Sequence, residues 1–217
     1  MIRQTSVKPA PAAPSLPLVV IVDDDQAVRE SLDSLIRSIG LATRLFGAPA
    51  ELLQGDLPDV LGCIVLDVRL PGISGLDFQD QLARQGIALP IVFMTGHGDI
   101  PMTVRAMKAG AVDFLAKPFR DQEMLDAVTA AIERDRQRRS ATAVLDDLRS
   151  AHATLTPRER EVMTHVVAGL MNKQVAGVLG LSEITVKIHR GNVMKKMGVR
   201  TLADLVRAAE ALGVHKP

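Results

Sequence analysis

Gly62-Cys63-Ile64-Val65-Leu66-Asp67 is a short apolar run that ends on a carboxylate. A run of this length, unbroken by polar residues, reads as a strand covered on both faces, as in a parallel sheet. Four further strand candidates flank it, each apolar in the main: Leu18–Val22, Ala42–Phe46, Ile91–Thr95 and residues 111–115. The segments between them carry helical periodicity, as in residues 26–39, where Val28, Leu32, Leu35, Ile36 and Ile39 recur along one face. Five such alternations predict an α/β unit with a five-stranded parallel, doubly wound sheet covered by helices on both faces. Ligands of such sheets bind at the carboxyl ends of the strands. Asp67 ends one of them.

The 217 residues suit two compact units rather than one. Hydrophobic residues make up 47% and charged residues 24%, a globular composition, and no apolar run approaches membrane-spanning length. No stretch reads as a secretory signal, so a cytoplasmic protein without a membrane partner is expected. Residues 1–17, with Pro9, Pro11, Pro14 and Pro17, read as a disordered leader. The single Cys63 lies inside an apolar run and is expected to pack as a small hydrophobe. Charge is unevenly spread: residues 18–120 hold 9 basic and 13 acidic groups, whereas residues 155–217 hold 10 and 5. That asymmetry points to a polyanionic partner for the C-terminal part alone. The expected organisation is an α/β core over 18–120, a long linker helix over 121–150 and a helical domain over 151–217. The linker reads either as a solvated connector or as a dimer strut, although its apolar heptad lapses across residues 136–143.

Three carboxylates, Asp23, Asp24 and Asp25, follow the first strand, and Asp67 closes the third. At one sheet edge these groups can converge, and a hard divalent ion is then needed to offset their repulsion. Mg²⁺ suits such a site, with Mn²⁺ as an alternative, because it binds through one or two carboxylates and bridges to phosphate. Thr95 ends the fourth strand with a hydroxyl, and Lys117 follows the fifth with a point cation. Together they are the parts that phosphoryl transfer to a carboxylate requires.

Residues 18–120 resemble the receiver domain of two-component response regulators. The resemblance is carried by Val22-Asp23-Asp24-Asp25, by Leu66-Asp67-Val68-Arg69-Leu70-Pro71-Gly72-Ile73-Ser74-Gly75, by Met94-Thr95-Gly96-His97-Gly98 and by Leu115-Ala116-Lys117-Pro118-Phe119. It implies a flavodoxin-like fold, with Asp67 as phosphoryl acceptor from a sensor histidine kinase. It implies further that Asp23, Asp24, Asp67 and the backbone carbonyl of Arg69 hold the metal, that Thr95 and Lys117 bind the phosphoryl oxygens, and that the Lys117-Pro118 peptide is cis. The resemblance puts Phe114 at the family's aromatic switch position, where it would turn inward as Thr95 moves toward the phosphate, with plain core packing as the alternative. The stretch from Thr95 to Val104 is similar to the FixJ-type branch. His97 is not expected to ligate metal, since no second His or Cys stands at ligand spacing.

The C-terminal part opens on Thr156-Pro157-Arg158-Glu159, a hydroxyl at the N-cap, Pro at the first helical position and Glu three residues after the cap. Four short helices follow, separated by turns containing glycine. In the third, expected behind Ser182 and running to Met197, Val186, Val193 and Met197 form the buried stripe, while Thr185, Lys187, Ile188, Asn192 and Lys195 lie opposite. Lys and Asn supply donors for phosphates and base edges, and Ile an apolar contact for a thymine methyl. Leu155 to Leu205 resembles the LuxR/NarL-type output domain, an all-α four-helix helix-turn-helix module. That resemblance implies a recognition helix over 182–197 in double-stranded DNA, with Lys173 and Lys196 nearer the phosphate backbone. Gly191 departs from the pattern, standing where some members carry a base-reading Lys. His189 and Arg190 could face either DNA or the core.

The combined expectation is a transcription factor in which phosphorylation of Asp67 alters homodimerisation and promoter binding, with RNA polymerase as a further partner. A small-molecule phosphohydrolase is the enzyme alternative, but hydrolases of that kind commonly place a second Asp two residues after the nucleophile, where this chain has Arg69. An RNA-binding output is disfavoured because residues 155–217 contain no aromatic side chain for base stacking.

Overall fold

The computed structural model describes residues 16–55, 57–96 and 100–214. The chain divides into two compact units, residues 1–138 and 139–217. Most of the expected leader and His97 lie outside the described residues.

In the first unit, β1 (Leu18–Val22), β2 (Ala42–Phe46), β3 (Gly62–Asp67), β6 (Ile91–Thr95) and β7 (Asp113–Ala116) form one parallel sheet in the order β2-β1-β3-β6-β7. Four of the five strands have the expected bounds, and β7 begins two residues later than the apolar run suggested. A hairpin not foreseen from the sequence, β4 (Arg69–Leu70) with β5 (Ile73–Ser74), follows β3. Its turn is Pro71-Gly72, with Gly72 at a φ of 83°, and two-residue strands are too short to show a periodicity.

The sheet buries apolar side chains on both faces, as alternation along each strand requires. Val20, Val22, Ile64, Leu66 and Phe93 face α2 (Pro49–Gln54), α3 (Gly75–Arg84) and α4 (Ile100–Lys108) through Leu52, Phe78, Leu82 and Ala106. Val19, Ile21, Val65, Val92 and Met94 face α1 (Gln26–Ser38) and α5 (Asp121–Ala153) through Leu32, Ile36, Met124, Val128 and Ile132. Cys63 is fully buried in the second of these cores, where burial first and the Asp135 charge second push its thiol up to about 12. It is a packing residue.

The second unit contains α6 (Pro157–Val167), α7 (Asn172–Leu179), α8 (Glu183–Lys196) and α9 (Leu202–Ala211), packed around Val162, Met163, Val166, Val175, Val186, Val193 and Leu205. The capping box at Thr156 and Glu159 forms as the sequence implies. The helix expected to end at 150 continues to Ala153, and the compact unit begins at residue 139 rather than 151. Leu148 and Ala151 pack on the third core, which draws the end of α5 into this unit.

One glycine ties the sheet to its sequence. A Cβ on Gly62 would stand 2.0 Å from the Leu18 carbonyl oxygen, backbone that cannot move without breaking the β1–β3 ladder. Gly62→Ala is therefore expected to destabilise the first unit by at least the roughly 1–3 kcal/mol typical of overpacking. Thermal unfolding followed by circular dichroism checks this; an unchanged melting curve contradicts it.

Candidate functional site

The parallel register brings the acidic residues together. Val22 pairs with Leu66, so the residues that follow, Asp23 and Asp67, leave adjacent strands at the same edge. On the other side of β3, Asp67 pairs with Met94 and places Thr95 next in line. Thr95 pairs with Ala116, and the next residue is Lys117. Four strand ends thus deliver Asp23, Asp67, Thr95 and Lys117 to one place.

Local hydrogen bonds then sort the three N-terminal carboxylates. Asp25 caps α1, its Oδ1 accepting from the N–H groups of Ala27 at 2.8 Å and Val28 at 3.3 Å. Asp23 is fully buried, and its Oδ1 accepts from the Asp25 N–H at 2.9 Å. Asp24 is exposed. Carboxylate oxygens of Asp23, Asp24 and Asp67 all lie within 4.8 Å of one another. This is a charge-dense, oxygen-only set of the kind that hard cations select.

Lys117 holds the cluster together. Its Nζ donates to Asp23 Oδ2 at 2.6 Å and to Asp67 Oδ2 at 2.8 Å. The Lys117 N–H donates to the Thr95 carbonyl at 2.7 Å, and the following Lys117-Pro118 peptide is cis, as the resemblance implies. Burial raises the pKa of the Asp23 carboxyl above its ordinary value, against the opposing pull of Lys117. Burial also works against the Lys117 charge, but its hydrogen bonds to Asp23 and Asp67 outweigh it and the ammonium pKa is raised. The remaining Asp67 oxygen, Oδ1, accepts from the Arg69 N–H at 3.0 Å. The hairpin that the sequence did not reveal is what brings that N–H back. Its other end, Ser74, caps α3 by accepting from the Leu76 N–H, and a Cβ on Gly75 would stand 2.5 Å from the Asp67 carbonyl oxygen.

Phe114 lies beside Phe93, ring centroids 6.2 Å apart and tilted by 44°, half-buried against the first core. Thr95 is fully buried.

In the second unit α8 presents Lys187, Ile188, Asn192 and Lys195 to solvent, with Thr185 half-buried at its start and Lys173 exposed on α7. The Thr185 hydroxyl lies 2.8 Å from that of the Ser182 N-cap. Arg190 faces inward enough for its Nη1 to donate to Asn172 Oδ1 at 3.2 Å, tying α8 to α7. His189 is half-buried with Nδ1 unpartnered among the described residues. Lys196 is engaged within the fold: its Nζ donates to Glu159 Oε2 at 2.6 Å and to the Thr154 carbonyl at 3.2 Å. Ile184, one turn before Ile188, was not singled out in the sequence, yet it is 74% exposed. Its spacing of four from Ile188 was the available signal.

The comparisons agree with both halves of this picture. Residues 19–129 match the family described as Response regulator receiver domain, and residues 153–209 match the one described as Bacterial regulatory proteins, luxR family. Nodulation protein W of Bradyrhizobium diazoefficiens is 63% identical over 197 residues, covering 91% of this chain and 87% of that one. Transcriptional regulatory protein FixJ of the same organism is 41% identical over 197 residues, covering 90% and 96%. Among solved structures, the response regulator StyR superposes with a TM-score of 0.79 at 48% identity, covering 90% of this chain and 99% of that one.

The Glu159 carboxylate offers a direct test of how α8 is held. Hydrogen bonds from Lys196 first, and from the Thr156 backbone next, lower it to about 2 from an ordinary 4.5. A depressed carboxyl contributes stability that is present above the unfolded value and is lost as pH falls through the folded one. Glu159→Gln is expected to speed amide exchange in α6 and α8 at neutral pH, with the difference from the native chain shrinking between about pH 4.5 and 2. A difference that is constant across that range contradicts the assignment. The strand-end site, the capped four-helix unit and these matches together identify the chain as a FixJ/NarL-family two-component response regulator, a receiver domain followed by a LuxR-type DNA-binding domain.

Proposed function

We propose that Asp67 accepts a phosphoryl group from the phosphohistidine of a partner sensor kinase, and that this modification shifts homodimerisation and promoter binding. The observation that carries the reading is the bridging of Asp23 and Asp67 by Lys117 at a shared strand edge. An Asp67 oxygen attacks phosphorus, the P–O bond forms as the P–N bond to the kinase histidine breaks, and the electron pair leaves with the imidazole. Lys117 then exchanges its contact with Asp67 for the phosphoryl oxygens, a role that suits a compact ammonium. Thr95, at the adjacent strand end, is the hydroxyl positioned to follow.

Asp23, Asp24 and Asp67, with the Arg69 carbonyl, are the ligands we assign to Mg²⁺, and the same oxygens suit Mn²⁺. The bound ion supplies charge neutralisation for an anionic nucleophile meeting an anionic donor. With Arg69 where a hydrolase would place a second carboxylate, the site stores the phosphoryl group rather than turning it over. Phe114 is the residue we expect to change packing as Thr95 moves, altering the surface of α4 and β7. Thr185, Lys187, Ile188, Asn192 and Lys195 on α8, with Lys173 on α7, are the DNA-facing side chains in this reading; Lys196 is assigned to α8 positioning instead, because Glu159 holds it. Kinase and promoter place the protein in the cytoplasm, and RNA polymerase is the natural further partner of a promoter-bound regulator.

In gel shifts on a selected promoter, acetyl phosphate with Mg²⁺ is expected to tighten binding by roughly 5–150-fold, the range of typical coupling free energies. Asp67→Asn should show no tightening; equal responses in the two proteins contradict the switch. Lys187→Ala should weaken binding to all sequences about equally and lower the slope of log affinity against log salt by about one. Ile188→Ala should instead relax the preference for thymine at one position. A Lys187→Ala effect confined to one sequence, or an Ile188→Ala effect uniform across sequences, overturns the division of labour on α8.

A further inference from the structure

Asp135 is the last buried residue of α5 in the first unit, and it is a carboxylate. From residue 136 to residue 154 no side chain is buried. The α5 residues before it, Met124, Ala127, Val128, Ala131 and Ile132, hold the helix on the sheet by apolar packing. Such packing is non-directional, and four of these five side chains are small or β-branched, with little reach to fix a rotation about the helix axis. Asp135 adds directional contacts. Its Oδ2 accepts from the Gly62 N–H at 3.1 Å, and its Oδ1 accepts from Arg138 Nε at 3.0 Å and Nη2 at 2.6 Å.

The partner of this contact belongs to the backbone of a central strand. Gly62 opens β3, is wedged against the Leu18 carbonyl and begins the strand that ends on Asp67. A buried carboxylate is not needed merely to attach a helix, since apolar side chains of similar volume commonly hold as well or better. What it adds is a fixed distance and angle.

We propose that Asp135 is a positioning residue for signal output: its hydrogen bond to Gly62 fixes the rotation and angle at which α5 leaves the receiver sheet, so that changes at Asp67 reach the second unit through a helix of defined orientation. The inference rests on the phosphorylation-switched reading given above. Without this bond α5 still packs through Val128 and Ile132 but pivots beyond them, and the two units uncouple.

The test compares the full-length native chain with D135L, which removes the acceptor, and D135N, which keeps an oxygen for the Gly62 N–H. Phosphoryl uptake from acetyl phosphate, promoter affinity with and without it, and amide exchange over residues 136–143 are measured on each, at temperatures well below unfolding. D135L is expected to take up the phosphoryl group normally, to lose the phosphorylation-dependent gain in affinity to within about twofold, and to exchange at least about tenfold faster over 136–143. D135N should stay within about twofold of the native chain in both. A D135L chain that retains native coupling and exchange overturns the proposal, as does a D135N chain that behaves like D135L. If D135L does not fold, D135A takes its place with the same expectations. A native chain that takes up phosphate without any change in DNA affinity sinks the switch reading rather than the anchor, which the exchange data then decide alone.

Discussion

Lys117 sits between two carboxylates that would otherwise repel each other, and the geometry of the receiver unit depends on that bridge. At the separations seen here, like charges interact unfavourably by about 1 kcal/mol in water and several times more where water is excluded. Asp23 is fully enclosed, so its charge must be matched, and the ammonium matches it at 2.6 Å. Asp67 shares the same cation and is further steadied by the Arg69 N–H. The site is thereby assembled before any phosphoryl group arrives. In the proposed reading, a phosphoryl group on Asp67 takes over the Lys117 contact, and that exchange moves the groups around it.

That arrangement follows from ordinary sheet physics. Parallel strands align their carboxyl ends, the register places Asp23 beside Asp67 and Thr95 beside Lys117, and cores on both faces of the sheet keep the strands from slipping by even one residue. These features were legible in the sequence because β1, β3 and β6 are nearly unbroken apolar runs and each functional residue closes a strand or follows it directly. The hairpin Arg69–Leu70 with Ile73–Ser74 was not legible. Its strands are two residues long, and its role, returning the Arg69 N–H to Asp67, is a backbone property that side-chain identity does not encode.

In the second unit the caps were readable because Thr156, Ser182 and Thr201 each precede a helix at the spacing their hydroxyls require. The pairing of Lys196 with Glu159 was not, since residues 37 apart in sequence meet only after α6 and α8 pack. A surface lysine on a basic helix looks the same in sequence whether it faces a phosphate or a capping carboxylate. Asp135 was hidden for a similar reason: in a helix stretch rich in Glu, Asp and Arg, nothing local distinguishes the one acid that turns inward to Gly62. Long-range polar contacts are where pattern reading ends, because they are fixed by tertiary packing rather than by period.

In the proposed reading Asp67, and neither Asp23 nor Asp24, is the acceptor. Borohydride trapping of the acyl phosphate after treatment with acetyl phosphate and Mg²⁺, followed by peptide mapping, tests it most directly. Label is expected only on the peptide containing Asp67 and is expected to vanish when Mg²⁺ is chelated; label on Asp23 or Asp24, or label that is indifferent to the metal, would contradict this assignment.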